Sequence, residues 1–106
     1  MSDCIFCKII QGEIPSQPVY QDRNVIVIND IHPQAPVHLL IIPKKHISDF
    51  MDADTAVLSR LFTVIKKMVK DKNIRNYRLV HNGEGAAYVK HMHIHLLGSV
   101  AVDRNL

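Results

Sequence analysis

The sequence contains no tryptophan and only two cysteines and four glycines, and aromatic residues make up 6% of it. Because no basic stripe is interleaved with aromatic side chains, we expect no binding to nucleic acid. No apolar run approaches the ~20 residues that cross a bilayer, so we expect no membrane segment. The first residues lack the basic and apolar segments of a secretory signal peptide, and we therefore expect a cytoplasmic protein.

The remaining composition is that of an ordinary globular protein. Of the 106 residues, 47% are hydrophobic and 22% are charged, which are usual fractions. There are no internal repeats or low-complexity segments, and we expect residues 1–106 to form a single domain. The formal net charge of +3 is mild and weakly favours an anionic ligand.

Hydrophobic patterns predict an α+β domain with a mainly antiparallel sheet of about five strands and two helices. The expected helices are a short one that ends at Gly12 and a longer one that Asp52 or Asp54 caps. The apolar stripe of the longer helix includes Leu61 and Phe62. The expected strands cover residues 19–20, 25–29, 37–42, 77–81 and 91–97.

The last of these strands carries three histidines at alternate positions. Successive side chains of a strand point to opposite faces, so His91, His93 and His95 share one face, whereas Met92 and Ile94 face the core. At ~3.3 Å per residue, neighbouring histidines lie ~7 Å apart and the outer two ~13 Å apart. Zinc binds imidazole nitrogen at ~2.1 Å, so the outer two can hardly share one ion. The pattern indicates a functional site in which His93 acts on something held between its neighbours.

A second motif is the C-x-x-C pair formed by Cys4 and Cys7. In a cytosolic chain such a pair binds metal or has a redox role more often than it forms a structural disulfide. A thioredoxin-like role needs a preceding strand in a βαβ unit, which the sequence lacks. The pair supplies only half of a tetrahedral zinc site. The alternative is two reduced cysteines under a short helix.

Several motifs together resemble those of the histidine-triad family of nucleotide hydrolases and transferases. The sequence reads HMHIH from His91, DIHPQAPVH from Asp30 and IIPKKHI from Ile41, which is similar to the small nucleoside phosphoramidases, the Hint-like branch. CIFCKIIQGEIP from Cys4 resembles the usual start of the bacterial members. The resemblance covers almost the whole chain. His95 stands where the uridylyltransferase branch has glutamine, which implies hydrolysis.

The resemblance implies a nucleotide groove on one face of the sheet, a purine nucleotide substrate, no organic cofactor and a homodimer. It implies that His93 is the nucleophile and forms a nucleotidyl-imidazole intermediate, with His38, His91 and His95 in support. The implied nucleotide-binding residues are Asp30 at the ribose hydroxyls, Ile31 beside the base and, on the phosphate side, Asn82, Tyr88, Val89, His93 and His95.

The C-x-x-C start also implies a metal site. In several relatives with this start, the zinc ligands match Cys4, Cys7, His46 and His91, so the resemblance implies a structural zinc ion. The strand geometry agrees, since the outer His91 is free to turn away from a phosphate held at His93.

Histidine suits the implied chemistry. Attack on an α-phosphate needs a neutral nucleophile and a donor for the leaving group, and imidazole with a pKa of ~6.5 can be either. We expect His38, at the start of a buried strand, to hold His93 in one tautomer, and His95 to supply the proton. No carboxylate pair lies in the strand, which disfavours glycosidase chemistry and carboxylate-based metal chemistry.

One segment departs from the family pattern. Gly-Gln-Ser or Gly-Gln-Thr usually precedes the valine before the triad, whereas this chain has Ala86-Ala87-Tyr88 before Val89, and its loop after Asn82 is shorter. The loss of one hydrogen-bond donor can cost ~2.7–4 kcal/mol of transition-state stabilisation, so we expect a slower or differently selective enzyme. Of the remaining histidines, we expect His32 to be an exposed loop residue and His81 to be structural.

Four functions follow for comparison. The leading one is hydrolysis of nucleoside 5′-phosphoramidates or aminoacyl-adenylates to the nucleoside monophosphate, as in adenosine 5′-monophosphoramidases. The second is hydrolysis of dinucleoside polyphosphates, which the same triad supports. The third is a nucleotide-binding regulatory module with weak turnover. The fourth is a His-rich metalloenzyme, which the strand spacing disfavours.

Overall fold

An antiparallel sheet of five strands forms the frame of the protein. The computed structural model describes residues 4–103 and 105, and in it the strands follow the order β1-β2-β3-β5-β4. This arrangement confirms the predicted α+β class. The elements are α1 (Ile5–Ile10), β1 (Tyr20–Gln21), β2 (Val25–Asn29), β3 (Val37–Pro43), α2 (Thr55–Asp71), β4 (Arg78–Val80), β5 (Ile94–Gly98) and two 3₁₀ turns, Phe50–Asp52 and Glu84–Ala86.

Strand β3 lies at the centre of the sheet. Ile41 pairs with Val27 of β2 on one side and with Ile94 of β5 on the other. Residues 38–43 are all buried, because α1 and α2 cover opposite faces of the strand. The prediction that this apolar run is a strand covered on both faces is therefore confirmed.

Helix α2 covers one face of the sheet. Asp54 caps it, since a carboxylate oxygen accepts a hydrogen bond from the backbone N–H of Val57 at 2.9 Å. Phe62 of the predicted apolar stripe is 46% exposed, so it lies on the flank of the helix and outside the buried core. The core on this face comprises Val25, Val27, Leu39, Ile41, Ile47, Leu61, Val64, Ile65, Met68, Ile74, Met92, Ile94 and Leu96.

Helix α1 covers part of the other face. It has only six residues, and the Sγ atom of its N-cap Cys4 accepts a hydrogen bond from the N–H of Cys7 at 3.3 Å. Phe6 anchors it in a smaller apolar cluster with Ile26, Ile28, Leu40 and Ile42. The rest of this face is left open, and the histidines lie there.

The histidine strand begins later than its alternation predicts. Strand β5 starts at Ile94, and the N–H of Met92 donates to the carbonyl of Ile47 at 2.7 Å instead of to β3. The antiparallel register would bring Met92 opposite Pro43, which ends β3 and has no N–H to donate. The predicted faces are nevertheless correct, since Met92, Ile94 and Leu96 lie in the core against α2.

Strand β4 is also shorter than predicted. It covers Arg78–Val80, so Tyr77 and His81 flank it.

No helix in the described residues is long and apolar enough to span a membrane.

Candidate active site

His91 is a fully buried imidazole whose two nitrogens have different partners. Its Nε2 lies 2.7 Å from the carbonyl oxygen of Pro43. A carbonyl can only accept, so Nε2 carries the hydrogen and donates it. The lone pair of Nδ1 then faces the sulfur atoms of Cys4 and Cys7, at 3.3 and 3.5 Å. This is the tautomer that a metal ligand needs, with its other nitrogen oriented by a carbonyl.

The Cys–His cluster, formed by Cys4, Cys7, His46 and His91, could hold a metal ion. Its four ligand atoms lie within 4.8 Å of one another, and His46 Nδ1 is 3.2 Å from Cys7 Sγ. Burial, followed by the hydrogen bond and charge of Cys4, raises the pKa of Cys7 to about 11. Two thiols and two imidazoles are a donor set that structural zinc sites use, and a zinc ion there would stabilise the thiolates.

His93 points away from this cluster, toward a groove on the α1 side of the sheet. Its Nδ1–H donates to the carbonyl of His91 at 2.7 Å, so Nε2 keeps its lone pair. Burial is the main cause that lowers the pKa of His93 below 6.5, which keeps the imidazole neutral at pH 7. The expectation that His38 holds the tautomer of His93 is wrong, because the backbone carbonyl of His91 does so.

His38 instead holds the tautomer of His95. The backbone N–H of Gln34 donates to His38 Nδ1 at 3.0 Å, and His38 Nε2 lies 2.8 Å from His95 Nδ1. The hydrogen of His38 is therefore on Nε2, and His95 carries its own hydrogen on Nε2. Asp30 reinforces the pair, with a carboxylate oxygen 3.4 Å from His38 Nε2. Sequence reasoning missed Gln34, because a backbone amide leaves no signature in the side-chain pattern.

His95 is neutral at pH 7. Burial, followed by the charges of His93 and His38, lowers its pKa to about 4. The ligand atoms of Asp30, His38 and His95 also lie within 4.8 Å of one another. A metal ion would compete there with the hydrogen on His38 Nε2, so this trio fits a hydrogen-bonded chain better than a second metal site.

The groove brings together most of the residues singled out from the sequence. It has a volume of about 550 Å³, which is enough for a nucleotide-sized ligand. Its apolar lining comes mainly from Ile5, Phe6, Ile9, Ile28, Leu40 and Val89, and its polar lining from Asn29, Asp30, Gln34, His38, Asn82, His93 and His95. Ile31 and Tyr88 also line it, with most of their side chains exposed. His91 does not line the groove, because it lies in the Cys–His cluster.

The loop that departs from the family pattern forms the rim of the groove. Tyr88 is fully exposed there and also lines a second hollow beside Cys4 and His46. Asp49 holds the start of the loop, since its carboxylate accepts the N–H of Glu84 at 2.8 Å. This hydrogen bond is the main cause that lowers the pKa of Asp49. Nothing in the sequence pattern pointed to Asp49.

The two remaining histidines lie where the sequence predicts, His32 in an exposed loop and His81 in a structural position. His32 is exposed in the loop before β3, at the edge of the groove. His81 Nδ1 lies 3.2 Å from the carbonyl of His93, so its N–H supports the backbone of that residue. Its ring lies near Phe50, with ring centroids 5.8 Å apart.

Comparisons with known proteins identify the class to which this fold and groove belong. A family model described as "Scavenger mRNA decapping enzyme C-term binding" matches residues 3–104. A HIT-like protein of Chlamydia muridarum is 50% identical over 100 residues, which cover 89% of this chain and 79% of that one. The protein HitA of Neisseria gonorrhoeae is 36% identical over 105 residues, which cover 93% and 98% of the two chains.

Solved structures agree with these relatives. A HIT family hydrolase from Legionella pneumophila Philadelphia 1 superposes with a TM-score of 0.86 at 43% identity, covering 93% of this chain and 95% of that one. A histidine triad protein from Clostridium difficile gives a TM-score of 0.90 at 38% identity, covering 100% and 98%. The chain therefore belongs to the histidine-triad (HIT) family, and it has the fold of that family.

Proposed function

We propose that this protein is a nucleotide-binding hydrolase that converts nucleoside 5′-phosphoramidates or aminoacyl-adenylates to nucleoside monophosphates. The observation that carries the proposal is the pair of opposite tautomers in the groove. His93 offers a lone pair on Nε2, and the adjacent His95, with its ring centroid 5.1 Å away, offers a hydrogen on Nε2. A nucleophile beside a donor is the arrangement that phosphoryl transfer through a covalent intermediate needs.

The groove suits a nucleotide along its whole length. Its apolar wall, which includes Phe6 and Ile28, suits a flat purine base. Asp30 lies beside His38 at the polar end and is suited to accept hydrogen bonds from ribose hydroxyls. Asn82 and the backbone of the rim loop then lie on the phosphate side. This order of subsites would bring the α-phosphate to the two histidines.

The reaction would proceed in two steps. In the first, His93 Nε2 attacks phosphorus and the P–N bond, or the P–O bond of an adenylate, breaks. With substrate bound, the hydrogen-bonded pair of His38 and His95 first takes up a proton from solvent. His95 then delivers its Nε2 hydrogen to the leaving group and the pair returns to the neutral form, while His93 keeps its hydrogen on Nδ1. In the second, water attacks the nucleotidyl-imidazole, returns a proton to His95 and releases the monophosphate. The negative charge of a bound phosphate would raise the pKa of His95 and strengthen its role as a donor.

An assay with adenosine 5′-phosphoramidate tests the proposal. We expect the wild type to release AMP and His93→Ala to bind AMP but release none. Lys66→Ala, an exposed change on the opposite face of the protein, serves as the control and should behave as the wild type. Equal, slow release by wild type and His93→Ala would contradict the catalytic function. Faster turnover of diadenosine polyphosphates than of the phosphoramidate would favour the second function.

One observation favours the regulatory alternative. Tyr88 stands where the family has a serine or threonine, and its side chain is fully exposed. If the groove binds nucleotide tightly yet turns it over poorly, restoring the short hydroxyl with Tyr88→Ser should raise the rate. A rate unchanged by this substitution would show that the rim hydroxyl does not limit turnover.

We also propose that the Cys–His cluster binds a structural zinc ion. Two thiolates and two imidazoles would hold it, and it would supply a cross-link between α1 and the ends of β3 and β5. Mass spectrometry of protein purified without chelator should find one zinc per chain in the wild type. The double variant Cys4→Ser with Cys7→Ser should contain none. A stable wild type without metal would contradict this proposal.

The proposed partner is a second copy of the chain in a homodimer, in the cytoplasm. Strand β4 is an edge strand, and beside it Leu58, Phe62 and Leu79 line an apolar hollow of about 360 Å³. An open edge beside exposed apolar side chains is typical of a strand that pairs in an assembly. Light scattering should give a dimer for the wild type and a monomer for Phe62→Glu. A monomeric wild type would contradict the proposal.

A further inference from the structure

The Cys–His cluster and the groove are joined through His91 and Phe6. The side chain of His91 belongs to the cluster, whereas its backbone carbonyl accepts the Nδ1–H of His93 at 2.7 Å. The ring of Phe6 contacts both imidazoles edge to face, with centroids 5.9 Å from His91 and 5.0 Å from His93. A displacement of either residue would therefore also move the imidazole of His93.

Helix α1 adds a second connection. Its start carries Cys4 and Cys7, whereas its Ile5, Phe6 and Ile9 line the groove. A helix of six residues has little stability of its own, so its position depends on its anchors. The anchors are the apolar cluster around Phe6 and the two thiols in the Cys–His cluster. The contacts that fix the two thiols therefore also fix the positions of Ile5, Phe6 and Ile9 in the apolar wall of the groove.

We propose that Phe6 and His91 are positioning residues that couple metal binding at the Cys–His cluster to nucleotide binding in the groove. A metal ion held by the cluster fixes α1 against the sheet, which completes the apolar wall and fixes the orientation of the His93 imidazole. The proposal rests on the proposed function, since it assumes that the groove binds a nucleotide. A purely structural metal ion would stabilise the whole fold, whereas this coupling predicts that metal binding affects the groove and α1 and leaves α2 unchanged.

The first test compares zinc-loaded protein with the same protein after chelation. Calorimetric titration with AMP should give a dissociation constant about tenfold higher without zinc, within the usual range of coupling between two sites. AMP should in turn raise the affinity for zinc by the same factor, because such coupling is reciprocal. Hydrogen exchange should accelerate without zinc at the amides of α1 and remain unchanged in α2. Adding zinc back should restore both results.

The second test removes the connection and keeps the metal ligands. Phe6→Leu should still bind zinc, but its affinity for AMP should depend on zinc much less than that of the wild type. Ile10→Ala is the matched control, because Ile10 lies on the same helix and packs on the same apolar cluster without lining the groove. This variant should keep the full dependence on zinc.

Three results would overturn the proposal. The first is an affinity for AMP that changes less than twofold with zinc, or a protein that binds no zinc. The second is exchange that accelerates equally in α2, which would make the metal a general stabiliser of the fold. The third applies if the zinc-loaded protein does not bind AMP, an outcome that by itself contradicts only the proposed function. In that case the NMR signals of the His93 ring test the coupling: a change with zinc supports it, and unchanged signals overturn it.

Discussion

The two faces of the sheet are built differently. The face under α2 has thirteen buried apolar residues in one cluster and is covered by a helix of 17 residues. The face under α1 has five buried apolar residues in its cluster and is covered by a helix of six. Histidines and cysteines take the remaining places on the α1 face. The first face therefore supplies most of the stability, and the second has room for a groove because little of it is needed for packing.

This division predicts that changes on the α1 face alter chemistry and changes on the α2 face alter stability. Each variant below therefore has two readouts, the rate of phosphoramidate hydrolysis and the free energy of unfolding. A variant that strongly changed both the rate and the free energy of unfolding would contradict this division of roles between the two faces.

The largest effect is expected from His93→Ala. The substitution removes the nucleophile, and the loss of such a group typically lowers kcat by about 10⁴-fold or more. The free energy of unfolding should change far less, because the imidazole packs against Phe6 at the edge of the groove rather than in the main core. Stopped assays and urea denaturation measure the two quantities. A collapse in stability would mean that His93 is chiefly a core residue.

Leu61→Ala should show the opposite behaviour. Leu61 is completely buried at the centre of the α2 core, and such truncations cost about 2–5 kcal/mol because they leave a cavity. Thermal or urea denaturation measures the loss. The kcat of the protein that remains folded should be within about twofold of the wild type, since none of the buried residues in the cluster around Leu61 lines the groove. A rate that fell in proportion to stability would connect the two faces.

His38→Leu, which has no side-chain donor, tests the tautomer of His95. Without an imidazole N–H at 2.8 Å from His95 Nδ1, nothing fixes the hydrogen on His95 Nε2. Loss of one well-placed donor lowers kcat by about 10²–10³-fold, and we expect an effect of this size with KM little changed. NMR of the ring nitrogens reads the tautomer directly. An unchanged tautomer with a reduced rate would assign His38 a different role.

These contrasts also show which features of the fold and of the site can be predicted from the sequence. Alternation in the histidine segment correctly predicts that Met92 and Ile94 face the core, because side-chain direction depends only on local backbone geometry. It does not predict that β5 begins at Ile94, because the missing N–H belongs to Pro43, which is distant in sequence. The resemblance to a known family supplied His46 and His91 as the partners of the cysteines, since spacing alone leaves their identity open.

The roles of the groove imidazoles of His38, His93 and His95 are harder to predict from a sequence. The tautomers of His93 and His38 each depend on one backbone group, the carbonyl of His91 for His93 and the amide of Gln34 for His38, and the tautomer of His95 follows from that of His38. Every residue has these atoms, so no residue type marks the position. The exposed state of Tyr88 is similarly a property of the folded loop.

The smallest effect is expected from Asp22, on the side of the sheet that α2 covers. Its carboxylate is 17% exposed and receives hydrogen bonds from Tyr20, from the amides of Asn24 and Val25, and from Arg60 of α2. Burial raises the pKa of Asp22, but these hydrogen bonds outweigh it and lower the pKa to about 2, from 3.8. Asp22→Asn should therefore destabilise the protein by about 2 kcal/mol at pH 7 without altering the rate.

The lowered pKa of Asp22 also determines how the effect of Asp22→Asn changes with pH. Because the pKa of Asp22 is lower in the folded protein, its contribution is fully present above pH 3.8 and disappears as the pH falls to about 2. The difference in unfolding free energy between wild type and Asp22→Asn should shrink over that window. Asp71→Asn is the control, since Asp71 pairs with Lys67 on the exposed surface of α2 and such pairs contribute little. Equal pH dependence in both variants would show that the contacts of Asp22 do not stabilise its ionised form, and that α2 is held to the sheet by apolar packing alone.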